Sequence, residues 1–140
     1  MRMADECAHL FAFVEPKFLA VSDFHSQVST IATMKENDIL LLISYSGATV
    51  EGMELLELAK KWGIKSVLLT RFKKSPLSKL ADVTLCCGSK EGPYQMGSVA
   101  AKIALLTLID VIFREYRKRN TDATEKNIKR IAAALSDKHL

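Results

Sequence analysis

The stretch that decides the fold is residues 38–49, which read DILLLISYSGAT. Its five consecutive aliphatic residues, 39–43, are typical of a strand that lies in the centre of a parallel sheet and is buried on both faces. A polar turn, residues 44–49, follows this strand and leads into a long amphipathic segment. Because open α/β sheets bind ligands at the carboxyl ends of their strands, we expect a binding site at this turn.

The turn carries groups that suit an anion. Ser44, Ser46 and Thr49 each offer a hydroxyl group, and Gly47 allows a close approach of the backbone. Backbone N–H groups and the N-terminus of the following helix add positive dipoles. No dinucleotide fingerprint, Walker lysine or H-E-x-x-H motif is present. The pattern therefore indicates a phosphate site, while an ordinary strand-to-helix turn capped by Ser and Thr stays open.

Strands and helices are predicted to alternate along the rest of the chain. Besides residues 39–43, strands are predicted at 18–21, 65–70 and 83–87, and helices at 1–13, 24–34, 50–62, 75–80, 94–119 and after 121. Helix 50–62 should direct Glu51 and Glu54 towards water. This order predicts one domain over residues 1–140, a three-layer α/β/α sandwich with a mostly parallel sheet.

The composition is ordinary for a soluble globular protein, with 49% hydrophobic and 26% charged residues. No apolar run is long enough to cross a bilayer, so we expect a cytoplasmic protein without membrane contact. Cys7, Cys86 and Cys87 lack the spacing of a metal site and are predicted to be buried free thiols. Neither a metal nor a cofactor is expected.

Two features of the last third of the chain concern partners. The long helix is apolar nearly all round over residues 99–113, which predicts a homodimer through this helix. A basic cluster follows, made of Arg114, Arg117, Lys118 and Arg119. This cluster could contact nucleic acid or form a solvated helix end, and the sequence leaves both readings open.

The turn at residues 44–49 resembles the S-x-S-G-x-T loop of the SIS (sugar isomerase) domain. Thr70, the segment Ser75-Pro76-Leu77 and the pair Ala81-Asp82 follow in the order and spacing of that family. Residues 23–27, 91–102 and 109–113 are similar to one branch of it, the sugar-phosphate-sensing domain of RpiR-type transcriptional regulators. The resemblance covers residues 1–118 and implies a sheet with the SIS strand order, which is flavodoxin-like.

The resemblance also implies a phosphosugar site. Its residues would be Ser44, Ser46, Gly47, Ala48, Thr49, Glu91 and His25. The first five would hold the phosphate, and the last two would orient the sugar of an effector. The family also contains aldose–ketose isomerases, so an alternative is a sugar-phosphate isomerase with Glu91 as base. A solvated carboxylate for Glu91, and a capping or interface role for His25, stay open.

The chain departs from the family pattern in two places. SIS domains begin with a strand and a G-x-G-x-S-like loop, and no residue here matches them, so the sheet is expected to lack its first strand and the pocket one wall. RpiR-type regulators carry a helix-turn-helix domain ahead of the SIS domain. This chain has no such pattern and is therefore expected not to bind DNA alone.

Overall fold

A parallel sheet and its flanking helices form the architecture, and the α/β class is as predicted. The structure is a computed structural model that describes residues 3–88 and 98–136. Its elements in chain order are α1 (Met3–Phe11), α2 (Phe24–Thr33), β1 (Ile39–Ile43), α3 (Val50–Lys61), β2 (Lys65–Thr70), a 3₁₀ turn (Leu77–Lys79), β3 (Val83–Cys86), α4 (Val99–Arg119) and α5 (Thr121–Ser136). Glu91 and the predicted start of the long helix lie outside the described residues.

The chain divides into two compact units. One comprises Val21–Leu105, and the other combines Met1–Ala20 with Leu106–Leu140. The expected single domain over residues 1–140 stays a prediction. In the described segments, no helix is both long enough and apolar enough to cross a bilayer.

The sheet has the order β1-β2-β3, and both pairings are parallel. Leu41 pairs with Val67, and Val67 pairs in turn with Val83, so β2 is the central strand. The prediction that residues 39–43 form the central strand is therefore wrong. Within the described residues β1 has one paired neighbour, and Ile39 is 63% exposed. A run of aliphatic residues indicates that a strand is buried, but it does not show which strands pair with it.

Helix α3 packs on one face of the sheet and on α2. One core cluster joins Ile31 of α2 to Leu55 and Ala59 of α3. A second joins Leu56 of α3 to Leu68 of β2 and to Leu77. Leu40 and Leu42 of β1 contact both clusters. Full burial of a leucine such as Leu56 or Leu68 stabilises the fold by about 1.5–3 kcal/mol, so the two clusters hold α3 firmly on the sheet.

The helix ends follow the sequence signals. Asp23 caps α2, with its Oδ1 accepting from the Ser26 N–H at 2.9 Å. Hydrogen bonds from Ser26 lower the pKa of the Asp23 carboxyl. Gly63 follows the end of α3 at a φ of +71°, a left-handed conformation that favours glycine. Both predicted signals are confirmed.

Residues 18–21 are not a strand, which corrects the prediction of a fourth one. The Phe18 N–H donates to the Glu15 carbonyl at 3.1 Å and closes a turn. The Phe18 ring stacks on Phe11 with 4.6 Å between centroids, while Leu19 is 74% exposed. Part of this short apolar run therefore serves aromatic packing rather than a sheet ladder.

Phe11 is the centre of an aromatic cluster in the unit that contains α1 and α5. Its ring lies 5.5 Å from the Phe113 ring and 5.6 Å from the Tyr116 ring. The Tyr116 hydroxyl donates to Glu15 Oε2 at 2.9 Å. Burial and the Glu15 carboxylate both raise the pKa of Tyr116. The cluster thus ties the last turns of α4 to α1.

Two members of the basic cluster are paired within their own helix. Arg114 Nε lies 2.7 Å from Asp110 Oδ2, and Arg119 Nε lies 2.8 Å from Glu115 Oε1. These exposed i,i+4 pairs are typical of a solvated helix surface.

The cysteines are free, but they differ in exposure. Cys7 is buried, and burial raises the pKa of its thiol to about 11. Cys86 is exposed, so the prediction of burial is wrong for this residue, which is the last of β3, an outer strand of the described sheet.

Candidate functional site

The turn between β1 and α3 has a defined backbone. The Ser44 N–H donates to the Leu69 carbonyl at 3.0 Å and so continues the sheet ladder beyond β1. The Gly47 N–H then donates to the Ser44 carbonyl at 3.1 Å, and Gly47 has a φ of +63°. The Leu77 N–H donates to the Gly47 carbonyl at 3.0 Å. The turn is therefore bonded at its start, in its middle and from behind.

Glycine is required at position 47 by its neighbours as well as by its backbone angle. A Cβ there would lie 2.6 Å from Ser75 Cβ and 2.8 Å from Thr70 Oγ1. Thr70 is fully buried, and its hydroxyl donates to the Tyr45 carbonyl at 3.3 Å. The Ser75 hydroxyl accepts from the Ser78 N–H at 3.2 Å. Thr70 and Ser75 match the family pattern, which implied no role for them. In the structure they support the turn from behind.

The N-terminus of α3 faces the same turn. The Met53 N–H donates to the Thr49 carbonyl at 3.2 Å, so the N–H groups of Val50, Glu51 and Gly52 precede the first intrahelical bond. Thr49 occupies the N-cap position, but its side chain makes no capping bond. A Cβ on Gly52 would lie 2.7 Å from Thr49 Oγ1. Gly52 therefore leaves room for the Thr49 hydroxyl, a role that the sequence did not reveal.

An open cleft of about 730 Å³ lies in front of the turn. Its lining residues are Ser22, Phe24, Gln27, Leu42, Ile43, Ser44, Tyr45, Ser46, Thr49, Glu51, Gly52 and Leu55. One part of the lining is apolar and includes Phe24 and Leu55, while the turn supplies hydroxyl groups. This combination suits a small ligand with one strongly polar end.

Three predicted phosphate ligands, Ser44, Ser46 and Thr49, line the cleft together. The Ser46 hydroxyl also accepts from the Ala48 N–H at 3.4 Å. Gly47 and Ala48 are not among the cleft's lining residues. Gly47 is buried and shapes the turn, so its contribution is to the backbone rather than to the lining.

Of the two residues predicted to orient the sugar, His25 is not among the residues that line the cleft. His25 is exposed on the first turn of α2, and its carbonyl accepts from the Ser29 hydroxyl at 3.0 Å. His25 is not a lining residue, although Phe24 beside it is. Glu91 lies outside the described residues. Their assigned roles stay predictions.

Sequence analysis did not identify Ser22 and Gln27 as lining residues of the cleft. The Gln27 Nε2 donates to the Val21 carbonyl at 2.9 Å, which holds the side-chain amide in place. Gln27 lies three residues after Phe24 and hence on the same helix face, a spacing that could have revealed it. Glu51 is exposed, as predicted, but it also lines the cleft.

Asp82, part of the family pattern, has a structural role away from the cleft. Its Oδ2 accepts from the Ser66 N–H at 2.8 Å and from the Ser66 hydroxyl at 3.0 Å. Lys65 Nζ lies 3.6 Å from Asp82 Oδ1. The hydrogen bonds from Ser66, and then the Lys65 charge, lower the pKa of this carboxyl. Asp82 joins the start of β3 to the start of β2.

Comparisons of the chain with known proteins agree on one family. The model of the SIS domain family matches residues 2–114. An uncharacterized HTH-type transcriptional regulator of Caldanaerobacter subterraneus is 40% identical over 94 residues, which cover 67% of this chain and 33% of the relative. The HTH-type transcriptional regulator RpiR of Escherichia coli K12 is 30% identical over 127 residues, which cover 91% of this chain and 43% of the relative.

A solved structure that contains a ligand has a fold similar to that of this chain. The Vibrio vulnificus NanR protein complexed with ManNAc-6P matches with a TM-score of 0.85 and 26% identity. The match covers 95% of this chain and 51% of the NanR chain. The chain therefore spans about half of that structure and less than half of the two curated relatives.

Proposed function

The chain belongs to the SIS domain family, and from this premise we propose that it binds a phosphorylated sugar as the effector-sensing domain of a transcriptional regulator. The observation that carries the proposal is the turn at residues 44–49, whose hydroxyl groups and following helix start meet at one cleft. DNA contact would come from a helix-turn-helix domain like that of the relatives, and the regulator would act in the cytoplasm.

The phosphate would sit against the turn. Its oxygens would accept from the hydroxyl groups of Ser44, Ser46 and Thr49 and from the free N–H groups at the start of α3. Such hydrogen bonds to a charged group contribute about 1.5–3 kcal/mol each. The support behind Gly47 keeps the donors in place before the ligand arrives, which reduces the entropy cost of binding.

The apolar part of the lining would contact the sugar ring. Phe24 and Leu55 offer flat or aliphatic surface to its C–H groups, while Gln27 and Ser22 can bond its hydroxyl groups. The relatives support this class of ligand, because NanR was solved with ManNAc-6P and the similar curated proteins are transcriptional regulators.

Calorimetry with a panel of sugar phosphates and their unphosphorylated sugars tests the proposal. We expect binding that requires the phosphate and that weakens about tenfold or more in Ser46→Ala and in Thr49→Ala. Thr33→Ala is the matched control, because Thr33 is exposed at the far end of α2 and bonds the Thr30 carbonyl. Unchanged affinity in both cleft variants would refute the assignment.

The same ligands separate sensing from turnover. A sensor binds its phosphosugar without exchanging the ligand's carbon-bound protons with heavy water. Exchange that is lost in Glu91→Gln would instead identify an isomerase with Glu91 as base.

The proposed regulator is a homodimer through α4. Val99, Ile103 and Val111 of this helix are 71%, 58% and 56% exposed. Exposed apolar side chains on a long helix suit a twofold interface. Light scattering at micromolar concentration tests this, and a monomer there would contradict it.

A further inference from the structure

The polar groups that line the cleft differ in hydrogen-bonding character. The turn and the start of α3 present donors, namely hydroxyl groups and backbone N–H groups. The remaining polar lining includes the side chains of Gln27 and Glu51. The chemistry available at these two positions restricts which sugar phosphates can fit well.

Gln27 offers an acceptor. One N–H of its Nε2 is used in the 2.9 Å bond to the Val21 carbonyl, and its Oε1 remains as an acceptor for a ligand. The side chain is part-buried, and the bond to the backbone restricts its rotation. A sugar hydroxyl or amino group can donate to this oxygen, whereas a carboxylate cannot.

Glu51 offers a negative charge. Among the described residues that line the cleft, it is the one with a formally charged side chain. A carboxylate accepts hydrogen bonds but cannot donate them, and it attracts a cation and repels an anion within a few ångströms. The side chain is exposed, so water reduces but does not abolish this preference.

We infer that Glu51 makes the cleft selective for amino-sugar phosphates over neutral sugar phosphates, and for both over sugar phosphates with a second acidic group. The inference rests on the proposed function, because the phosphate must first bind at the turn. The ammonium group of the ligand donates to the Glu51 carboxylate, and Gln27 Oε1 accepts from a neighbouring hydroxyl.

The test compares glucosamine 6-phosphate, glucose 6-phosphate and 6-phosphogluconate by calorimetry at low ionic strength. We expect affinity to fall in that order, by about threefold to tenfold at each step, as for charge pairs at a partly exposed site. Raising the salt concentration should compress the ranking.

Glu51→Gln removes the charge while keeping an acceptor of similar size. We expect the three affinities to converge in this variant. Glu57→Gln is the matched control, because Glu57 is exposed on the same helix but is not a lining residue, and its ranking should equal that of the unmodified chain.

The outcomes distinguish the two proposals. Equal affinities in the unmodified chain, or a ranking that survives Glu51→Gln, would overturn the inference about Glu51 and leave phosphosugar binding intact. Failure of every phosphosugar to bind would overturn both.

Discussion

Replacement of Gly47 by alanine should damage the site through the backbone alone. The change adds one methyl group at a φ of +63°, where a residue with a Cβ is strained by about 1–2 kcal/mol. The new Cβ would also lie 2.6 Å from Ser75 Cβ and 2.8 Å from Thr70 Oγ1. Overpacking of this kind costs about 1–3 kcal/mol, so the expected loss of unfolding free energy is about 2–5 kcal/mol.

Gly63→Ala separates the two contributions. Gly63 has a φ of +71°, and a Cβ there would meet no atom within 4 Å. This variant should therefore show the strain of about 1–2 kcal/mol without the overpacking. The difference between the two variants, about 1–3 kcal/mol, measures how tightly Ser75 and Thr70 support the turn.

Urea unfolding of the full chain, followed by far-ultraviolet circular dichroism, gives the two free energies. Calorimetry with a sugar phosphate gives a second measurement, because Gly47→Ala should also weaken binding and Gly63→Ala should not. Equal destabilisation by the two substitutions would refute the steric argument. Unchanged phosphosugar affinity in Gly47→Ala would refute the claim that the turn must keep this backbone.

Three further substitutions test other parts of the structure. Asp82→Asn should lower the free energy of unfolding at neutral pH, because hydrogen bonds from Ser66 hold the pKa of Asp82 below 3.8. The difference in unfolding free energy from the unmodified chain should shrink as the pH falls below that value. A pH-independent difference in urea titrations would contradict this. Thr124→Val should raise the melting temperature, since the buried Thr124 hydroxyl has no hydrogen-bond partner among the described residues and its desolvation costs about 1–3 kcal/mol; a lower melting temperature would contradict this. Leu77→Ala should cost about 2–5 kcal/mol in urea unfolding, because Leu77 is fully buried, and a smaller loss than that of the half-buried control Leu80→Ala would contradict this.

Local signals predicted the elements around the site well. The cap at Asp23, the terminator at Gly63 and the turn at residues 44–49 each depend on a few neighbouring residues, and the structure contains all three. The position of β1 in the sheet depends on its neighbours in space. Its aliphatic run looked central, yet β2 is the central strand of the described sheet.

Only part of the cleft lining was predicted, because the other lining residues are brought there by contacts between elements distant in sequence. Ser44, Ser46 and Thr49 are close in sequence, so a motif could identify them together. Gln27 reaches the cleft because α2 packs on α3, and that contact leaves no short motif. Glu51 is exposed, as its helical phase indicates, and it also lines the cleft.

The support of the turn from behind has a consequence for how such a pocket can change. Gly47, Thr70 and Ser75 determine the path of the backbone without lining the cleft, while Ser22, Gln27 and other residues in front line it. Substitutions at the front can therefore alter ligand preference without the backbone rearranging. A combinatorial library that varies the front positions and keeps the three rear residues should yield many folded members with new specificities, whereas a library that varies the rear should yield few.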